Sequence, residues 1–223
     1  VAEAVNAQQV QSEGADIAVD LPGHPNVLIV GGCGSGKTRF WLKPNLLQMH
    51  SSYVVTDPKG SILVECGYAL QAIGKYEVKV FNLVDPKHSD TWNCMSDLEG
   101  DTLMAQVLTN VIIGNTSQGK GDHFWDSGEM NLLKALVLYV ALDEHRPPDQ
   151  KNLWEVYQYL ITKTELELAL MFGMLPFGHP AKAPFNLFAQ ASDNVRSNIL
   201  LGLGTRLQIL QSNTVARLIS GNE

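Results

Sequence analysis

Residues Gly31-Gly32-Cys33-Gly34-Ser35-Gly36-Lys37-Thr38 have the types and spacing best suited to chemistry in this chain. They fit the pattern G-x-x-x-x-G-K-[ST] at every fixed position, with an apolar run before and a helical pattern after. Glycines reach positive φ and let the backbone approach a ligand closely, so successive N–H groups can point at phosphate oxygens. The start of the following helix adds partial positive charge. Lys37 supplies a point charge for the β and γ phosphates of a nucleotide, and the Thr38 hydroxyl is a ligand for Mg²⁺. The expected nucleotide contacts run from Gly31 through Arg39, with ATP and Mg²⁺ as cofactors. Cys33 reads as a small tolerated side chain rather than a nucleophile.

A second cluster, VVTDPKG, covers Val54 to Gly60. Asp57 in it is a candidate for the Mg²⁺ water shell or the attacking water, and Lys59 for a phosphate or a neighbouring subunit. The competing reading is an ordinary strand-to-helix turn, since Asp-Pro and Lys-Gly are common turn pairs. Proximity in sequence to the glycine loop favours the functional reading.

The elements needed to position these residues follow from hydrophobic pattern. VLIVGG reads as a buried parallel strand. Lys37 to Met49 reads as a helix with a kink at Pro44. Ser52 to Asp57 reads as a second strand, the segment from Gly60 to Ile73 as a helix, and Tyr76 to Leu83 as a third strand. That order predicts a parallel α/β sheet. From Leu98 to about Leu218 the periodicity is helical: Asp101–Thr116, Phe124–His145, Asn152–Thr162, Thr164–Leu175 and Leu187–Leu210, with a loop at Pro180–Asn186. The expected domains are a loose leader or edge segment over 1–24, a nucleotide-binding part over 25–95, an all-α domain over 96–213, and a return toward the first domain over 214–223.

Composition sets outer bounds. The 223 residues are 45% hydrophobic and 17% charged, which suits a globular core. Net charge is -7, so no strongly basic face for nucleic acid shows in bulk. Cys33, Cys66 and Cys94 are odd in number and widely spaced, with no C-x-x-C, which suits reduced thiols and argues against a disulfide framework or a zinc site. No apolar run reaches the roughly 18 residues of a membrane span. No signal peptide opens the chain. Starting at Val1, it reads as a segment of a longer polypeptide.

The stretch from Asn26 to Gly67 resembles the nucleotide-binding domain of TraG-like type IV secretion coupling proteins, the ATPases that bring conjugative DNA to a secretion channel. The resemblance continues at NLVDPKHSDTWNC, GDHFWDSGEMNLLKALVLYV and RSNILLGLGTRLQIL, and so covers about Asn26 to Ser220. More distantly the chain is similar to FtsK/HerA-type DNA-translocating motors. The resemblance implies a P-loop NTPase (RecA/FtsK-like) parallel sheet with an inserted all-α domain that helps select a DNA–protein substrate. It implies as partners DNA, relaxase and relaxosome proteins and secretion-channel components. It also implies a homo-hexamer on the cytoplasmic face of the cell membrane, with a membrane anchor N-terminal to this chain. Two positions depart from the family pattern: Cys94 follows Asn93 where proline is common, and His123 precedes Phe124-Trp125 where Asp-Pro-Phe-Trp is common.

LVLYVALDEH, Leu136 to His145, imitates a Walker B strand ending in Asp143-Glu144, but its apolar run continues a helical pattern. The resemblance places the true Walker B strand just past Glu223, which would leave this segment a poor hydrolase. A DNA translocase without a secretion partner and a substrate-docking fragment are the alternative functions. A small-molecule kinase is least supported, since no acceptor-site constellation is visible. Trp92, Trp125, Tyr157 and Tyr159 read as core or surface anchors rather than base-stacking platforms, His123 as a helix-entry residue, and Arg196, Arg206 and Arg217 as a solvated face rather than an arginine finger.

Overall fold

A computed structural model of the chain describes residues 17–20, 27–98, 101–117 and 123–221. The chain divides into two compact units, residues 1–79 and 80–223.

In the first unit, β1 (Ile17–Asp20) pairs antiparallel with β2 (Val27–Val30), with Ile17 opposite Val30 and Asp20 opposite Val27. β1 falls in the segment read as a loose leader. Its short Ile-Ala-Val run was the available signal. After β2 and the glycine loop the chain winds as a π-helix over Lys37–Leu42 and then as α1 (Lys43–Leu46). The winding changes one residue before Pro44, which lies in the first turn of α1, where a missing N–H costs little. α2 (Ser61–Ala72) packs on this segment through Leu46, Ile62 and Cys66, and a Lys43–Glu65 ion pair crosses the same contact.

The expected parallel sheet, and with it the RecA/FtsK-like P-loop NTPase fold, is not what forms. Among the described residues the β structure is the two-stranded antiparallel β1–β2 pair. Segments 52–57 and 76–83 carry the apolar, β-branched composition of strands but make no ladder. Val54 and Val84 stand in solvent, and the backbone donors find other acceptors. Val80 N–H donates to Asp90 Oδ2, Asn82 N–H to Ser89 Oγ, and Val84 and Asp85 N–H to Asn82 Oδ1. Around residues 80–85 side-chain acceptors thus replace the neighbouring strand that a ladder requires.

The second unit is helical: α3 (Thr102–Thr116), α4 (His123–Ala141), α5 (Leu153–Thr162), α6 (Glu165–Met174), α7 (Lys182–Ala189), α8 (Asp193–Arg206) and α9 (Asn213–Leu218). α4 is its axis. Leu132, Leu133, Ala135, Leu136, Val137, Leu138 and Val140 are all buried, on every face of the helix. That is why its sequence lacks a narrow apolar stripe. α3, α5, α7 and α8 surround it. Phe172 of α6 stacks on Phe185 of α7 at 4.1 Å, and Tyr139 of α4 packs against Phe172.

Two sequence expectations change here. Pro180–Asn186 was expected as a loop, yet α7 begins at Lys182, because Pro184 sits in its first turn, where proline is tolerated. Leu187–Leu210 was expected as one helix, yet it breaks at Gln190–Ser192. Arg196 holds the break, donating to the carbonyls of Ala189 and Ala191 and pairing with Asp193 and Glu165.

The expected solvated face of Arg196, Arg206 and Arg217 holds only for Arg217, which is exposed; Arg196 and Arg206 are largely buried in ion pairs. Arg206 is largely buried and joins α8 to α4 through ion pairs with Asp126 and Glu129, and it donates to Ser117 Oγ at the end of α3. Arg217 donates to the Pro86 carbonyl. Gly202 lets this cluster form, because a Cβ there would collide with Glu129 Oε1.

Burial raises the Glu129 pKa above its ordinary value of 4.5, against the lowering pull of Arg206. A raised folded pKa means the fold favours the protonated form. As pH rises past about 4.5 the unfolded chain releases its proton first, and this contribution to stability falls until the folded pKa is passed. Thermal melts should therefore show Glu129→Gln gaining on the wild type as pH rises from about 4 to about 7. A difference independent of pH would show that Glu129 titrates normally.

Candidate functional site

The glycine loop leaves β2 at Gly31 and enters the π-helix at Lys37. Gly34 has φ +81° and Gly36 has φ +90°, conformations that favour glycine. Phe40 lies back across Gly36, so any Cβ at that position would strike its ring. Arg39 places its guanidinium 5.6 Å from the same ring. Around Gly32 and Gly34 there is open space where side chains would stand. The result is a bare stretch of backbone beside a charged side chain.

Lys37 folds over that stretch. Its Nζ donates to the carbonyls of Gly31 and Gly32, both at 2.6 Å, and to Ser35 Oγ at 3.2 Å. Ser35 Oγ donates in turn to the Gly32 carbonyl at 2.9 Å. Cys33, Thr38 and Arg39 are exposed, so their side chains are accessible.

Asp57 has a different setting. Its Oδ2 accepts the N–H groups of Ile62 at 2.8 Å and Leu63 at 3.0 Å, while Gly60 takes φ +68° at the helix entrance. Asp57 thus caps α2 from three residues upstream of the usual position, because Gly60 offers no side chain there. No hydrogen bond or ion pair links Asp57 to the glycine loop among the described residues. Asp57→Ala should cost about 1 kcal/mol. The loss should appear as faster amide exchange in α2; unchanged exchange would count against the cap.

The remaining candidates fall outside any common site. The apolar run before Asp143 is the end of α4, and Asp143 lies in the turn beyond, where its carboxylate accepts the His145 N–H and stands 3.6 Å from Arg146 Nε. Tyr157 is a core residue whose hydroxyl accepts from Gln211, and Tyr159 packs on Tyr139 and accepts from Arg146. Trp125 is partly buried against the core, whereas Trp92 is half exposed. Asn93 is buried, with its amide on the Lys151 carbonyl and its oxygen on the Met95 N–H. Burial pushes the Cys94 thiol up to about 11, so it stays protonated near neutral pH. Sequence reasoning missed Phe40 as a part of the loop. An aromatic four residues after a positive-φ glycine was the signal.

A family model described as type IV secretory system conjugative DNA transfer matches residues 5–223. The chain belongs to that family. The match bears out the resemblance to TraG-like coupling proteins and places the chain in type IV secretion and conjugative DNA transfer, with DNA and the secretion system as partners. No curated protein and no solved structure matches the chain. For this conjugative-transfer chain, no helix among the described residues is long and apolar enough to cross a membrane.

Proposed function

We propose that this conjugative-transfer protein binds ATP and Mg²⁺ at the loop Gly31–Arg39 and uses hydrolysis to drive DNA, with bound relaxase and accessory proteins, into a type IV secretion channel. The observation that carries the reading is Lys37: its ammonium is held over glycine backbone that contains two positive-φ turns and open space. These residues fit a polyphosphate. Gly31, Gly32, Cys33, Gly34, Ser35 and Gly36 provide close-approach backbone, Lys37 meets the terminal phosphates, and the exposed Thr38 hydroxyl is available to Mg²⁺. Bound Mg²⁺–ATP supplies the phosphoanhydride bond whose cleavage releases free energy. The protein's part is to bind, orient and neutralise charge. Asp57, committed to capping α2 through one oxygen, has its second oxygen for water or the Mg²⁺ shell.

The helical second unit is the docking body for the DNA–protein cargo in this reading, and the working assembly is a homo-hexamer on the cytoplasmic face of the membrane. Calorimetric titration of the chain with Mg²⁺ and a non-hydrolysable ATP analogue tests the nucleotide reading. Saturable binding is expected, and the absence of heat at millimolar analogue would overturn it. Binding of the second unit to a relaxase tests the cargo reading. DNA translocation by the protein with no such partner would favour a motor without a secretion role.

A further inference from the structure

We propose that Ser35 is a positioning residue that holds the Lys37 ammonium on target before nucleotide arrives. This rests on the nucleotide reading for its consequence but not for its geometry. The lysine side chain has four rotatable bonds and, unrestrained, spreads its charge over a wide arc. Here three acceptors converge on Nζ: two backbone carbonyls at 2.6 Å and the Ser35 hydroxyl oxygen at 3.2 Å. The serine can serve as an acceptor because its own proton is committed. It donates to the Gly32 carbonyl, which also receives Lys37. A hydroxyl so oriented presents lone pairs to the ammonium rather than a repelling hydrogen.

The three contacts are unequal, and the inequality assigns them different roles. The short carbonyl contacts anchor the lysine to the loop. The longer contact to Ser35 is the weakest of the three and the one most readily exchanged when a phosphate oxygen comes within reach. Ser35 therefore acts as a placeholder, keeping the ammonium ordered and then yielding to the phosphate. Ordering a flexible cation in advance lowers the entropic cost of binding.

The test has one readout without nucleotide and one with it. Acylation of lysine amines by an N-hydroxysuccinimide acetate, followed by peptide mass spectrometry, reports how well Lys37 is held. Lys59, exposed in a loop, is the internal reference. Ser35→Ala should raise the Lys37 rate several-fold without changing Lys59, and Ser35→Thr should restore it. Calorimetry with the Mg²⁺–ATP analogue should show Ser35→Ala binding about fivefold more weakly, with Ser35→Thr near wild type. In a Lys37→Ala background, Ser35→Ala should bring no further loss. Equal Lys37 acylation rates in wild type and Ser35→Ala would overturn the proposal, as would additive losses in the double variant. If the wild type binds no nucleotide, the function proposed above falls, while the acylation rates still decide whether Ser35 holds Lys37.

Discussion

Lys37→Ala is expected to weaken binding of the Mg²⁺–ATP analogue by about 100-fold. The estimate takes two charge-assisted hydrogen bonds to phosphate at about 1.5 kcal/mol each, with 1.4 kcal/mol per factor of ten. Folding should not carry the effect. The Gly31 and Gly32 carbonyls that the lysine now covers lie on exposed residues, so water can replace it. Bulk charge is controlled by Lys79→Ala, which removes the same charge from an exposed pair with Glu77 and should change affinity less than twofold. Calorimetry on the three proteins checks this. A loss of less than threefold in Lys37→Ala would remove Lys37 from the phosphate contact.

Arg206→Ala should destabilise the helical unit by about 3 kcal/mol, near the low end for removing one partner of a buried ion pair. Arg206 is 18% exposed at its side chain, Asp126 20% and Glu129 7%. Water reaches the cluster only in part, which sets the figure below that of a fully enclosed pair. Removing the guanidinium leaves two carboxylates facing each other and takes one donor from Ser117 Oγ at the end of α3, which keeps Ile113 and Asp126 as partners. In a thermal melt the loss should appear as a drop of about 10 °C, taking 2–4 °C per kcal/mol. A second variant separates charge from volume. Arg206→Met together with Asp126→Asn and Glu129→Gln should recover most of the stability, because no unpaired charge remains buried. A drop of less than about 2 °C for Arg206→Ala would show the cluster to be solvated and weak.

How much of this was legible in advance varied with the kind of physics involved. The glycine loop was readable because its conformation rests on local covalent facts: which residues lack a Cβ and which carries an amine. Most helices of the second unit were readable from the helical spacing of their apolar residues, whereas α4, buried on every face, was readable from the length of its apolar run. Their interruptions were not. Ser192 looked helical in pattern, yet the break there is held by Arg196 reaching Glu165, 31 residues away. Asp57 was read as a catalytic candidate, whereas its observed contacts are with α2 amides, since the choice between capping and catalysis depends on where the chain turns after Gly60.

The sequence by itself determined the glycine loop, the membership in a conjugative DNA-transfer family, and the helical character of the second unit. Tertiary structure alone decided the pairing of strands and the fate of buried charge. Val54-Val55 and the segment 76–83 have strand composition, but a strand needs a neighbour at hydrogen-bonding distance, and that is a property of the assembled chain. Arg206 has the composition of a surface residue, but its two carboxylate partners come from α4, about 80 residues earlier, and meet it only because Gly128 and Gly202 let the helices approach. Local propensity reads along the chain, whereas pairing and desolvation are settled across it.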